Sequence, residues 1–437
     1  MGEQSPSAVF HQDVDAVHAD LYDGLFVHSL LQHETNQQAS SANYPSPNTS
    51  QDVRSTWHRF LDDLCFMCDS RCGGKSVVAL ITEQVQGETI FWLTTDPVYQ
   101  DSAANHLDAI LRLLKESIHA HPDCVRLSIE QIAQQSVERS PQRVHHYGSR
   151  LRRIVQEQIP RAGSEVPLVD VALHKELDYI VSVRDLHQKL CDVSYHFRYQ
   201  AGYALLKQHI EASSEDTWTR VRHFIGRLGH WRRTAVSLAR VAESFASVLQ
   251  NYRIASIPYP DSGEKPRLTL DEDLKELVLR VFPNYRATPL CDRLVTRISR
   301  AENLPNWFRS NRLVPRPHAE VVAMELCCSQ GMHLVSSDRY DACSKPSCYC
   351  CSLYMSHHPG GFRPRPTHGN VWVLWCLPQL FHHDQSSTVN LGILRRMAND
   401  TRNFSKASLT NSRTASRRKF DNRHLDRGDW ARPIMFW

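Results

Sequence analysis

Between Thr56 and Cys68 the residues Trp57, Phe60, Leu61, Leu64 and Cys68 recur three or four positions apart, which predicts an amphipathic helix ending before Gly73 and Gly74. The period then changes. Two β-branched and aromatic runs, 76–82 and 88–95, flank Gln86 and Gly87 and predict a β-hairpin. From Asn105 to about Arg300 the spacing is mainly helical: Leu107, Ile110, Leu111, Leu114 and Ile118 form one apolar stripe, and further helices are expected over 172–212, 217–250 and 270–281. The Pro-containing stretch 257–266 interrupts them as a loop. A buried helix is expected to start near His318, where VVAMELCC follows Pro315 and Pro317. Residues 33–52, poor in large apolar groups and rich in Ser, Asn, Gln and Pro, have the composition of a linker, and order is expected to begin after it. No internal repeat occurs at solenoid spacing.

Composition narrows the class. A chain of 437 residues that is 41% hydrophobic can bury a core and reads as globular. A formal net charge of +4 gives no global field for nucleic acid, so any basic partner site is local. Two stretches stand out: five arginines and no acids between Arg220 and Arg233, read as a solvated helix face, and nine Lys or Arg against four Asp over 400–437, read as a flexible basic tail. The start MGEQSPSAVF has no basic and apolar leader pattern, and the longest apolar run is too short to span a bilayer. The expected setting is therefore intracellular, cytoplasmic or nuclear, with no membrane partner. In a reducing compartment thirteen cysteines argue for buried thiols or metal ligands. Cys65, Cys68 and Cys72 have no matching distal pair and are read as packing residues. Cys327, Cys328, Cys343, Cys348, Cys350 and Cys351 crowd into 25 residues.

That crowding coincides with a candidate zinc site. Cys348 and Cys351, three apart, share one face of a first helical turn, and His318 stands at the start of the preceding helix. Two thiolates and a neutral imidazole balance one Zn2+ per chain and leave one tetrahedral position for water, whose pKa such a metal lowers to about 7. Glu320, two residues from His318, is placed to shuttle protons as zinc-bound hydroxide attacks an amidine carbon. A structural zinc is the competing reading; it would recruit Cys343, Cys350, Cys327 or Cys328 as fourth ligand and reduce Glu320 to a helix-start carboxylate. His333, His357 and His358 have no ligand spacing.

HAEVVAMELCC, CSKPSCYCC and THGNVWVLWCLP, in this order, resemble a fungal family of predicted nucleic acid or nucleotide deaminases within the cytidine-deaminase-like superfamily, best over residues 315–378. The resemblance implies that His318, Cys348 and Cys351 bind zinc and Glu320 is catalytic, and it places Ser344, Lys345, Thr367 and His368 as possible substrate-pocket residues. Read from the residues alone, Lys345 is equally a solvated side chain and His368 a turn residue. The implied fold is α/β, an α/β/α layered core with a large, mainly helical insertion between the hairpin and the zinc-motif helix, in which Val371 to Leu377 would supply the strand after the cysteine helix. The expected organisation is an N-terminal segment with linker over 1–52, first helix and hairpin over 53–98, helical insertion over 99–310, zinc motif over 311–380 and basic tail over 381–437. The implied activity is hydrolytic deamination of a nucleobase, nucleotide or base in nucleic acid. The alternative is an inactive, zinc-stabilised interaction protein on the same fold.

Overall fold

The computed structural model describes residues 6–34, 56–158, 168–183, 186–212, 217–260, 274–285, 291–292, 295–296, 315–378 and 384–410. Residues 35–52 of the expected linker, most of the loop at 257–266 and the tail beyond Thr410 lie outside them. In chain order the helices are α1 (Pro6–Glu34), α2 (Thr56–Cys68), α3 (Gln100–Ser117), α4 (Pro122–Arg139), α5 (Pro141–Gln158), α6 (Leu168–Ser182), α7 (His187–Phe197), α8 (Ala201–Ala212), α9 (Thr217–Leu228), α10 (His230–Val241), α11 (Ala246–Gln250), α12 (Leu274–Val281), α13 (Ala319–Ser329), α14 (Tyr349–His357) and α15 (Asp384–Thr410). The strands are β1 (Ala79–Val85), β2 (Glu88–Thr94), β3 (Tyr252–Ser256) and β4 (Ala342–Cys343). The chain divides into two compact units, one of 1–66, 77–104 and 251–415, the other of 67–76, 105–250 and 416–437.

The first unit carries the sheet. Gln86 (φ 50°) and Gly87 (φ 84°) both adopt positive φ, the two-residue turn whose twist suits a hairpin, and they pair Val85 with Glu88 and Ala79 with Thr94. β4 adds antiparallel to β1 and β3 parallel to β2, giving the mixed order β3-β2-β1-β4. Among the described residues four strands and many helices make this a mixed α/β fold, compatible with the expected class. β3 is a strand that the mainly helical reading of 105–300 did not single out: Tyr-Arg-Ile-Ala-Ser carries one large aliphatic residue and lies half-exposed at the sheet edge, so it has no apolar alternation to announce it.

Three expectations are corrected. Residues 6–34 form α1, although order was expected only after residue 52, and 384–410 form α15, where a flexible tail was expected. These two helices pack on each other, and α12 packs on α1 as well. Leu21, Tyr22, Leu25, Phe26, Val27, Leu30 and Leu31 are all buried, so α1 has no single apolar stripe for periodicity to detect. Val371 to Leu377 is not a sheet strand. Its Val371 N–H goes to the Gln32 side chain, Trp375 N–H turns back to the Trp372 carbonyl, and its backbone bridge is to Arg316.

The second unit is helical among its described residues. α4 packs on α10 and α7, and α5 on α9, around Ile132, Leu151, Val221, Ile225, Leu228, Trp231 and Leu238. The helix expected over 172–212 is three, α6 to α8, and that over 217–250 is broken at Gly229, where an added Cβ would meet the Tyr195 backbone at 2.9 Å. The arginines from Arg220 to Arg233 are half-buried and not a solvated face; Arg232, for example, lies 3.7 Å from Glu130. Cys65 and Cys68 are buried packing residues, while Cys72 is exposed.

Two buried histidines link stability to pH. Burial pulls His28 down to about 4 and, with Arg139 adding to the effect, His106 down to about 3; His106 also shares a 3.0 Å hydrogen bond with Ser136. Unfolded histidine binds its proton near 6.5, so between pH 6.5 and about 4 the unfolded chain holds more protons. Stability is therefore complete above pH 6.5 and falls as the pH drops, by at most about 1.4 kcal/mol per pH unit for each histidine. The urea midpoint should be lower at pH 5 than at pH 7, and the drop smaller in His106→Gln. An equal drop in the variant would remove His106 from the account.

Candidate metal centre

His318 and Cys348 occupy equivalent places at the starts of two helices. His318 is extended (φ −90°, ψ 148°), and its carbonyl accepts the first N–H groups of α13, from Val321 at 3.0 Å and Val322 at 3.1 Å. Cys348 is likewise extended (φ −75°, ψ 173°) and its Sγ accepts the Cys351 N–H at 3.4 Å. The approach to α13 is held from both sides: Arg316 pairs through its backbone with Leu374 and Cys376, and the Tyr259 hydroxyl donates to the Pro317 carbonyl. The approach to α14 is held by the segment 366–370. Ser347 N–H donates to the Pro366 carbonyl, the Ser347 carbonyl accepts from His368 N–H and Thr367 Oγ1, and Tyr349 N–H donates to the Asn370 carbonyl.

These supports bring His318 Nδ1 to 3.5 Å from Cys348 Sγ and 3.2 Å from Cys351 Sγ, with all three ligand atoms within 4.8 Å of one another. Zinc bonds of about 2.3 Å to sulfur and 2.0–2.1 Å to nitrogen at a tetrahedral angle require N···S separations of about 3.5 Å, close to the two found here. No fourth protein ligand joins the group among the described residues. Cys350 turns its Sγ to the Trp372 carbonyl at 3.7 Å, and Cys343 Sγ lies 4.0 Å from Glu320 Oε2.

Glu320 is buried in the first turn of α13, and its charge acts on His318, Cys343, Cys351 and His368. Of the other sequence candidates, Ser344 exchanges hydrogen bonds with the Val78 backbone, Thr367 Oγ1 is engaged by Ser347 and Gly369, and Lys345 is half-buried with its carbonyl accepting from Arg365. His368 is half-buried, with Cys348, Glu320, His318 and Lys345 all acting on its ring; burial, the largest influence, lowers its pKa. Sequence reasoning missed two groups beside this cluster. Arg365 is fully buried, donating to the Cys343 and Lys345 carbonyls 3.5 Å from Asp62 Oδ1, and Asp341 is fully buried with neither carboxylate oxygen hydrogen-bonded among the described residues. An acid between Tyr340 and Ala342-Cys343 was the one available signal.

Without metal the three donors hold protons unequally. Burial alone would raise the Cys348 thiol, but hydrogen bonds from Cys350 and Cys351 and the His318 imidazole bring it well below its usual range. Burial would likewise lower His318, yet the Cys348 thiolate outweighs it and, with Glu320, holds the imidazole up at about 9. Cys351 is pushed well above its usual value by burial and by Cys348.

Residues 317–379 match the sequence model of the OTT_1508-like deaminase family. The match takes in His318, Glu320, Cys348, Cys351, Thr367 and His368 and leaves α1, the hairpin and α15 outside it. Comparison with curated proteins and with solved structures finds no match. Among the described residues no helix is long and apolar enough to cross a membrane.

A zinc ion taken up by this group would displace the protons on His318 and Cys351, so affinity should rise with pH by about tenfold per pH unit for each proton released, most steeply below about 9 where both are still held. Competition with a chromophoric chelator at pH 6.5 and 8.5 measures this. Equal affinities at the two values would contradict the protonation pattern.

Proposed function

We propose that this chain is a zinc-dependent aminohydrolase acting on a cyclic amidine, in a nucleobase, a nucleotide or a base within nucleic acid. The observation that carries the reading is the open three-donor group: one imidazole nitrogen within 3.5 Å of two sulfurs, with no fourth protein ligand among the described residues and a buried carboxylate beside it. The family match over the same residues supports deamination as the reaction, and the likeness to a fungal family of nucleotide deaminases belongs to the same proposal. The structural-zinc alternative needs a fourth protein ligand, and Cys327, Cys328, Cys343 and Cys350 all lie outside the group.

When bound, zinc supplies Lewis acidity and makes water nucleophilic near neutral pH. His318, Cys348 and Cys351 hold it, one ion per chain. Glu320 accepts a proton from the attacking water and passes it to the ring nitrogen of the amidine. It then carries the second proton from the new hydroxyl to the amino group, the C–N bond breaks, and ammonia leaves as the ring carbonyl forms. Ser344, Lys345, Thr367 and His368 border the proposed substrate pocket.

The helical unit is read as an insertion into a deaminase-like core, because the chain leaves the first unit after Ala104 and returns at Asn251 to supply β3, α13, β4 and α14. An intracellular setting, cytoplasmic or nuclear, suits the thiolate-rich site.

Separating metal from activity tests the mechanism. Glu320→Gln should retain about one zinc per chain and lose at least about 100-fold in ammonia release over a panel of free bases, nucleosides, nucleotides and single-stranded RNA and DNA. Cys348→Ala should lose both. A Glu320→Gln chain with undiminished ammonia release would overturn the assignment of the proton shuttle.

A further inference from the structure

The loop that carries His368 is held by a residue more than three hundred positions away. Gln32, near the end of α1, donates from Nε2 to the Gly369 carbonyl at 3.0 Å and accepts the Val371 N–H on Oε1 at 3.2 Å. One side-chain amide thus forms a two-bonded bridge across the loop, as a neighbouring strand would. The Gln32 amide is oriented in turn. Its Nε2 lies 3.4 Å from His28 Nε2, whose other nitrogen, Nδ1, lies 3.1 Å from Ser405 Oγ on α15. Buried His28 is neutral at physiological pH, so its Nε2 accepts from Gln32 and its Nδ1–H donates to Ser405.

Inside the clamped loop the His368 ring is fixed by its own backbone. Asn370 N–H donates to Nδ1 at 3.1 Å, so Nδ1 carries no proton and the neutral ring bears its hydrogen on Nε2. Among the described residues no hydrogen bond reaches that Nε2. The ring stands in the field of Cys348, Glu320 and His318, and its backbone N–H is bonded to Ser347, the residue before Cys348.

We infer that Gln32 is a positioning residue that locks the 367–371 loop so that His368 presents a fixed Nε2–H donor to the substrate pocket. Such a donor pairs with a ring carbonyl or pyridine-type nitrogen next to the amidine, which selects heterocycles carrying an acceptor at that position. The inference rests on the deaminase reading of the site, but its test does not use activity.

The test compares the zinc-loaded full chain with Gln32→Met, which keeps the side-chain volume and removes both polar bonds. Hydrogen exchange is read by mass spectrometry over the peptide containing Val371, and the His368 ring nitrogens are read by NMR on chains carrying 15N-histidine, with His368→Gln giving the assignment. Exchange at Val371 should accelerate about tenfold, the value of about one hydrogen bond. The His368 ring should change from one tautomer to an averaged pair, while zinc content and exchange in α14 stay at the wild-type level. Unchanged Val371 exchange and an unchanged His368 tautomer would overturn the inference. So would loss of zinc or of protection throughout α14, which would make Gln32 a general packing residue. A chain that releases no ammonia yet passes this test loses the deaminase reading and keeps the clamp.

Discussion

Three donor atoms from two helix starts, thirty residues apart in sequence, have to meet within about 3.5 Å for this site to exist, and much of the first unit serves that requirement. A helix start is a suitable place for it. The first N–H groups of a helix have no intrahelical acceptor and carry a partial positive charge, so a thiolate there gains both hydrogen bonds and field. Cys348 Sγ takes the Cys351 N–H in this way, which helps a buried sulfur remain ionised without metal. His318 caps α13 only through its carbonyl, leaving its ring free to face the sulfurs.

Helix starts do not converge unaided, and the groups that hold these two are themselves polar and buried. α13 lies on β1 and β2. The turn before Cys348 is organised by Arg365, which donates to the Cys343 and Lys345 carbonyls, while Asp62 on α2 accepts the Cys343 N–H and the Tyr340 hydroxyl. A buried guanidinium is costly unless charge and hydrogen bonds compensate it; Asp62 and these carbonyls do so at Nη2, while Nε and Nη1 have no hydrogen bond among the described residues. Fully buried Asp341 stands in the same neighbourhood, where burial and the charges of Glu320 and Asp62 raise its pKa well above the usual carboxylate range although Arg365 opposes this. The network ties α2 to the metal loop.

The parts legible from sequence are those where local chemistry determines the outcome. Gln86-Gly87 can turn in few ways, a His-x-Glu after two prolines opens a helix, and a Cys-x-x-Cys spacing puts two sulfurs on one turn. The hairpin and both helix starts stand where those signals put them. What was not legible depended on partners remote in sequence. α1 buries apolar residues against both α12 and α15, and Val371 to Leu377 has the composition of a strand but spends its hydrogen bonds on Gln32, Arg316 and its own turn. Arg365 and Asp341 look like loop charges until the fold buries them.

The same reasoning bears on what a minimal functional piece of this protein is. The stretch similar to a deaminase family ends at residue 379, yet the cysteine helix it contains is packed by residues beyond it: the Tyr349 hydroxyl reaches Thr401 Oγ1 at 3.1 Å, and its ring meets Phe404 on α15 and His28 on α1. Tyr22 of α1 donates to the Trp375 carbonyl at 2.8 Å, and Gln32 holds the loop between them. Removing either terminal helix would expose the apolar face of the other and strip these bonds from α14 and its loop together. The matched stretch supplies the three donor atoms and Glu320, whereas their geometry is imposed by β1, β2, α1, α2 and α15, whose sequences carry no signature of that task.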